Sequence, residues 1–147
     1  MGGRLLRKIK KSGCYNLFVG LESGSDATLK KMNKGFSAQD AKIFFEKLNA
    51  AGLFFGISII VGYPGETEGD FQESLAFVVR NKGLIPKIEQ VNPFVYYEGT
   101  PVLPAGGYRP NKASLQRMWL FIKEIKRDRF KYTNAFLGNL VEKNAGM

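Results

Sequence analysis

Residues 53–67 read LFFGISIIVGYPGET. Leu53 to Val61 is almost continuously apolar, the composition of a strand covered on both faces, and such strands belong to parallel sheets. The polar loop Gly62–Thr67 ends the run. Thr67 and Asp70 then stand three residues apart, the spacing of a helix capping pair. Phe71, Leu75, Val78 and Val79 mark the buried face of the helix that follows, which is expected to end near Gly83. Strand, loop and helix in this order form one unit of an α/β fold.

The same grammar extends in both directions. Upstream, Ser37 and Asp40 form another capping pair, and Ala41, Phe44, Phe45 and Leu48 follow the i, i+3, i+4, i+7 pattern of an amphipathic helix closed by Gly52. Tyr15 to Leu21 reads as a buried strand. The polar turn ESGSD (22–26) leads into a helix with Leu29 and Met32 on one face and Gly35 as its stop. Residues 4–12 read as a short basic helix before Gly13. Such a helix ordinarily follows a strand, and only Met1, Gly2 and Gly3 precede it, so the chain is expected to open in mid-unit. Downstream, Ile88 to Tyr96 is a third strand candidate that Pro93 should end early or bulge. The Gly- and Pro-rich run EGTPVLPAGGYRP (98–110) reads as a loop. A basic helix follows from about Lys112 to Lys131, with Leu115, Met118, Trp119, Ile122 and Ile125 as its apolar stripe. The tail to Met147 carries at most a weak helix pattern.

Three strands joined by helices predict parallel βαβ units. Three strands do not close a barrel, so they form either a curved open sheet or a segment of a larger barrel.

Composition narrows the chemistry. Of the 147 residues, 44% are hydrophobic, and the formal net charge is +9. A positive balance favours anionic partners without choosing among nucleotide, nucleic acid and acidic membrane. One cysteine, Cys14, and no histidine exclude an intramolecular disulfide, a Cys/His zinc site and Ser–His or Cys–His catalysis. No stretch approaches the roughly 20 apolar residues of a membrane span. No apolar signal core follows the basic start, so a cytoplasmic protein without membrane contact is expected.

In parallel α/β sheets ligands sit at the C-terminal ends of strands. Two loops occupy that position: Glu22 to Ser25 and Gly62 to Thr67. A carboxylate such as Glu22 accepts hydrogen bonds from ribose hydroxyls or an amine, and serine hydroxyls bond a carboxylate or ribose. Each following helix points its N-terminus at the same rim, which suits an anionic group. The same residues are ordinary turn and cap residues, and either loop alone reads first as that. Phosphate-loop and dinucleotide fingerprints are absent.

The ordered set VGLESGSDATLKKMNKGFS (19–37), LNAAGLFFGISIIVGYPGETEGDFQESLAF (48–77) and VNPFVYYEGTPV (91–102) resembles the second half of a radical S-adenosylmethionine (radical SAM) domain. The likeness runs from about Gly13 to Val102. It is nearest to the type often fused to a cobalamin-binding domain, with the methylthiotransferases more distant. The resemblance implies an α/β fold, namely a parallel-stranded partial TIM-type barrel of about three βα units plus a C-terminal helical extension. It implies a division into 1–102, the C-terminal half of the core, and 103–147, a loop and helical extension. It also implies roles. Glu22 and Ser23 would lie near the ribose or methionine part of S-adenosylmethionine. Ile60, Val61 and Gly62 would sit beside the adenine, partly through backbone, and Val91 and Asn92 would approach it from the other side. Glu66 would brace its loop. Gly99, Thr100 and Pro101 match the family's closing turn.

One departure bears on function. The family holds its 4Fe-4S cluster with a C-x-x-x-C-x-x-C loop, and thiolates are the usual ligands of such clusters. This sequence has only Cys14, placed before a strand, and Cys14 reads as a small buried residue. The Gly-Gly-Glu element that holds the methionine amine is absent too. The expectation is therefore a fragment that contributes the S-adenosylmethionine-binding rim, is inactive alone, and pairs with the missing N-terminal half of the barrel. The cluster, and in some parents cobalamin, would belong to the whole enzyme. Two other readings stand beside it. One is a non-enzymatic basic module binding RNA through Arg4, Arg7, Lys8, Lys10 and Lys11 and through the basic residues between Arg117 and Lys131. The other is a degenerate domain that binds nucleotide without turnover.

Overall fold

The computed structural model describes residues 2–96 and 110–133. Its elements run α1 (Gly3–Lys11), β1 (Leu17–Glu22), α2 (Asp26–Lys31), α3 (Ala38–Ala50), β2 (Phe55–Val61), α4 (Glu68–Arg80), β3 (Ile88–Pro93) and α5 (Lys112–Arg127). The three strands form one sheet in the order β1-β2-β3, and both pairings are parallel. This is an open α/β sheet with the architecture of a partial TIM-type barrel, carrying a C-terminal helix. The expected turn at Gly99–Pro101, the 102/103 boundary and the tail to Met147 lie outside the described residues.

The short-range signals act locally, as their spacing requires. Ser37 Oγ accepts from the Asp40 amide while Asp40 accepts from the Ser37 amide, and Thr67 and Asp70 repeat the arrangement at the start of α4. β3 ends at Pro93, which has no amide to continue the ladder.

Alternation along the strands separates two faces. Ile57, Ile59 and Val61 of β2 and Ile88 and Val91 of β3 point into one hydrophobic core. That core also takes Leu6 of α1, Phe45 and Leu48 of α3, Phe71 and Val78 of α4, and Met118, Phe121, Ile122 and Ile125 of α5. Phe45 stacks on Phe55 with ring centroids 5.1 Å apart, and Phe71 meets Phe121 edge-on at 6.2 Å. Each large side chain buried this way contributes about 1.5–3 kcal/mol relative to exposure.

The opposite face is more polar. It carries Phe18 and Gly20 of β1, Gly56, Ser58 and Ile60 of β2, and Gln90 and Asn92 of β3, matched across the ladder. The apolar run 53–61 therefore serves a core on one side only. On the other side Gly56 is buried beneath the side chain of Glu89.

Two local expectations are corrected. Cys14 is half-buried rather than buried, and its Sγ faces the Asn16 carbonyl oxygen at 3.4 Å. It stands in the irregular segment between α1 and β1. The last basic helix, expected to run to about Lys131, stops at Arg127, and the chain returns alongside β3. The Ile88 amide donates to the Lys131 carbonyl at 2.8 Å, and Tyr132 forms a parallel bridge with Ile88. Arg129, in the left-handed region at φ 59, makes the reversal.

Candidate functional site

Glu22 is the last residue of β1, and its backbone is left-handed, with φ 68. A non-glycine residue there costs of order 1–3 kcal/mol and persists only where its surroundings hold it. The ladder register shifts between Gly20 and Glu22. Together these turn the carboxylate back over the polar face, where it accepts from Ser58 Oγ at 3.2 Å and faces Lys34 Nζ at 3.6 Å. A side chain on Gly20 would run into it.

The second loop is shaped by Gly62, at φ 76, whose Cα packs against Ser114 of α5 so closely that a Cβ would collide with it. Glu66 accepts from the Gly62 amide at 2.8 Å, and its side chain is 1% exposed. Burial raises its carboxyl above the usual carboxylate range, against the opposing pull of the Gly62 amide and the Arg117 guanidinium. Arg117 reaches from α5 to Glu66 at 3.6 Å and to Glu68 at 3.0 Å. Glu66 thus braces its loop.

The two loops are tied to each other through α2 and α4. Ser23 Oγ and Ser74 Oγ lie 2.6 Å apart, and the Gly24 amide donates to Ser74 Oγ at 3.1 Å. Ser25 Oγ donates to Asp70 Oδ1 at 2.9 Å. Lys31 Nζ faces Asp70 at 3.4 Å and also reaches the Gly65 carbonyl, while Tyr63 Oη donates to the Lys31 carbonyl at 3.3 Å. The Thr67 amide, with help from the Thr67 and Ser25 hydroxyls and Lys31, lowers the Asp70 carboxyl from 3.8 to about 2 against the cost of desolvation.

The predicted site residues divide into two groups. Glu22, Ile60 and Asn92 come together on the polar face, with Ile60 paired to Asn92, and Gly62 continues the same rim. Val61 and Val91 are in the ladder beside them, but their side chains are buried in the core, so only their backbones reach the rim. Ser23 is also fully buried, its hydroxyl turned to Ser74 rather than to the open face. Sequence reading missed Ser58, Lys34 and Ser74. Ser58 had a signal, as the single hydroxyl in an otherwise apolar strand. Lys34 and Ser74 had none, because only the folding of distant segments brings them to Glu22 and Ser23.

Donor chemistry decides what these residues can hold. The Glu22 carboxylate and a hydrogen-bonding side chain, Asn92, beside a floor of small residues fit a nucleoside with an amine or ribose hydroxyls, while the Gly24 and Gly62 amides are engaged by Ser74 and Glu66 and shape the loops. An iron–sulfur cluster does not fit. Cys14 is the only thiol in the sequence and lies at the opposite end of β1 from Glu22. No group of three or more metal-ligating side chains exists among the described residues.

A profile described as the radical SAM superfamily matches residues 2–78. The chain is 30% identical over 127 residues to a threonylcarbamoyladenosine tRNA methylthiotransferase of Thermotoga maritima, covering 85% of this chain and 29% of that protein. It is 31% identical over 133 residues to a tRNA-2-methylthio-N(6)-dimethylallyladenosine synthase of Clostridium novyi, covering 88% of this chain and 28% of that protein. A synthase of the same name from Streptomyces viridosporus is 39% identical over 105 residues, 69% of this chain and 20% of that protein. The chain thus spans less than a third of the length of the curated relatives it matches. By name these belong with the methylthiotransferases, the group that the motifs alone set at greater distance.

Proposed function

Since the chain belongs to the radical SAM superfamily, we propose that its rim seats S-adenosylmethionine within a larger barrel. The observation that carries this reading is the convergence of Glu22, Ile60 and Asn92 on the polar face of the sheet, at the strand ends, beside Gly62. Glu22 takes the ribose hydroxyls or the methionine amine. Ile60 and the Val61–Gly62 backbone lie along the adenine, and Asn92 approaches it from β3. Ser23 and Glu66 hold the two loops in place rather than touch the ligand.

S-adenosylmethionine supplies radical chemistry only where an iron–sulfur cluster delivers an electron to it. The thiols for that cluster come from outside these 147 residues, on strands of the same or an adjacent polypeptide that complete the barrel beside β1. The chain alone is then a binding element without turnover. For the reaction of the whole enzyme, the relatives favour a tRNA methylthiotransferase, whereas a cobalamin-associated parent rests on motif resemblance alone.

The test is an amide NMR titration of the isotope-labelled chain with S-adenosylmethionine. The expected result is a set of shifts at Glu22, Ile60, Gly62 and Asn92, lost in Glu22→Gln. Shifts confined to other regions, or none at saturating ligand, would overturn the reading.

A further inference from the structure

We propose that helix α1 and the strand-N-terminal end of the sheet form a binding face for the phosphodiester backbone of nucleic acid, at the opposite end from the rim. Arg4, Arg7, Lys8 and Lys11 fall at i, i+3, i+4 and i+7 of α1, and all four are exposed. They form one stripe of cations, and none makes an ion pair among the described residues. Leu6 and Ile9 occupy the other face and turn into or against the core.

In this fold the helices run back from the rim, so their C-termini gather where the strands begin. Three hydrogen bonds show this convergence. Lys10 Nζ donates to the Gly52 carbonyl at 2.5 Å after α3. Asn49 of α3 donates to the Leu84 carbonyl after α4 at 2.9 Å. Lys82 reaches the Asp128 carbonyl after α5. Around this end lie Lys47, Arg80, Lys126, Arg129 and Lys131, again without ion pairs among the described residues. Three acids at this end are already engaged, Glu89 by Lys87 at 2.9 Å and Glu124 and Asp128 by Arg127, and Glu46 stands exposed beside Lys47.

Helix dipoles favour cations in last turns and acids in first turns. That rule accounts for Lys47 and Arg80, and for Lys8, Lys11 and Lys126 in the last turns of α1 and α5. It does not account for Arg4 and Arg7 near the start of α1, or for Arg129 and Lys131 beyond α5, and no acid stands in the first turn of either helix to balance them. Arg117 is excluded from the face, because Glu66 and Glu68 hold it at the rim. A membrane surface is a poorer fit. An interfacial helix needs a broad apolar face directed outward, and on α1 Leu5 is the sole large apolar residue left exposed, at 46%. A row of cations at helical spacing instead matches a polymer of repeating negative charge.

Fluorescence anisotropy of the full chain would test this with a labelled 20-nucleotide single-stranded RNA and a 20-base-pair DNA duplex, over a salt series. The wild type should bind at least one of them with steep salt dependence. The triple variant Arg7→Glu/Lys8→Glu/Lys11→Glu should weaken binding at least tenfold. It should also lower the salt slope by about 2, since each phosphate neutralised on a single strand accounts for roughly 0.7 of that slope. Should that variant fail the far-ultraviolet check of folding, Lys126→Glu/Lys131→Glu should weaken binding several-fold and lower the salt slope by about 1.4. Wild-type binding to anionic vesicles but to neither nucleic acid, or undiminished nucleic-acid binding by a folded variant, would overturn the proposal. Neither result bears on the rim, which the amide titration with S-adenosylmethionine reads separately.

Discussion

Gly24 has room for a hydrogen and nothing larger. A Cβ built there would stand 2.5 Å from Cβ of Phe77 on α4. The turn after β1 can therefore lie on α4 only with glycine at this position, and only then does its amide reach Ser74. Gly24→Ala should lower stability by about 1–3 kcal/mol through overpacking, measured by urea unfolding. Phe77→Leu in the same chain should recover little of the loss, because leucine keeps the Cβ and Cγ that the new methyl group meets. Asp70 is the other residue on which the rim depends. Its bonds hold the anion and lower its carboxyl to about 2 from 3.8. The stabilisation is therefore fully present above the unfolded value and is lost as pH falls from about 3.8 toward about 2. Asp70→Asn should flatten the pH dependence of the unfolding midpoint across that window and lower the midpoint at neutral pH. Glu66 works in the opposite sense: burial raises its carboxyl, so ionising it costs stability as pH rises through the raised value. The two effects fall in different pH windows, which keeps the Asp70 test clean.

At the scale of the element, the strands differ in how well they are protected. β2 has a partner on each side, and β3 has β2 on one side and the Tyr132 bridge on the other. β1 has β2 alone among the described residues, and Phe18 on it is 59% exposed. Tyr15, just before it, is 84% exposed. Beside the strand lies an apolar groove of about 270 Å³ lined by Val19, Leu21, Phe36, Phe44 and Phe45. An edge strand with apolar residues on show is a template for pairing with another chain. The isolated chain should therefore self-associate, and Phe18→Lys should shift the mass measured by sedimentation toward the 16.4 kDa monomer. An unchanged distribution would place the association elsewhere. The capped helices were legible in sequence because a capping box is an agreement between residues three apart. The return of residues 131–133 beside β3 was not legible, because a three-residue bridge has no periodicity to read.

For the whole molecule, one thiol and an open sheet set the limit on chemistry. Anaerobic treatment of the chain with iron and sulfide should leave no stoichiometric iron and no visible charge-transfer absorption. Bound iron that survives desalting in proportion to protein would contradict that. Sequence alone determined the alternation of strands and helices, the parallel sheet, the helix caps and the two loops at the strand ends, since each is written in short-range patterns of polarity and turn residues. The bracing role of Glu66 came from the family resemblance, and the Gly62 amide donating to its carboxylate agrees with it. Only tertiary structure decided which of the rim residues face outward. Alternation puts Ile60 and Asn92 on the polar face and Val61 and Val91 in the core, but which face is open depends on where the helices pack. Packing also brought Ser74 to Ser23 across 51 positions and Lys34 to Glu22 across the edge of β1. Those pairings join segments far apart in the chain, and local sequence carries no record of them.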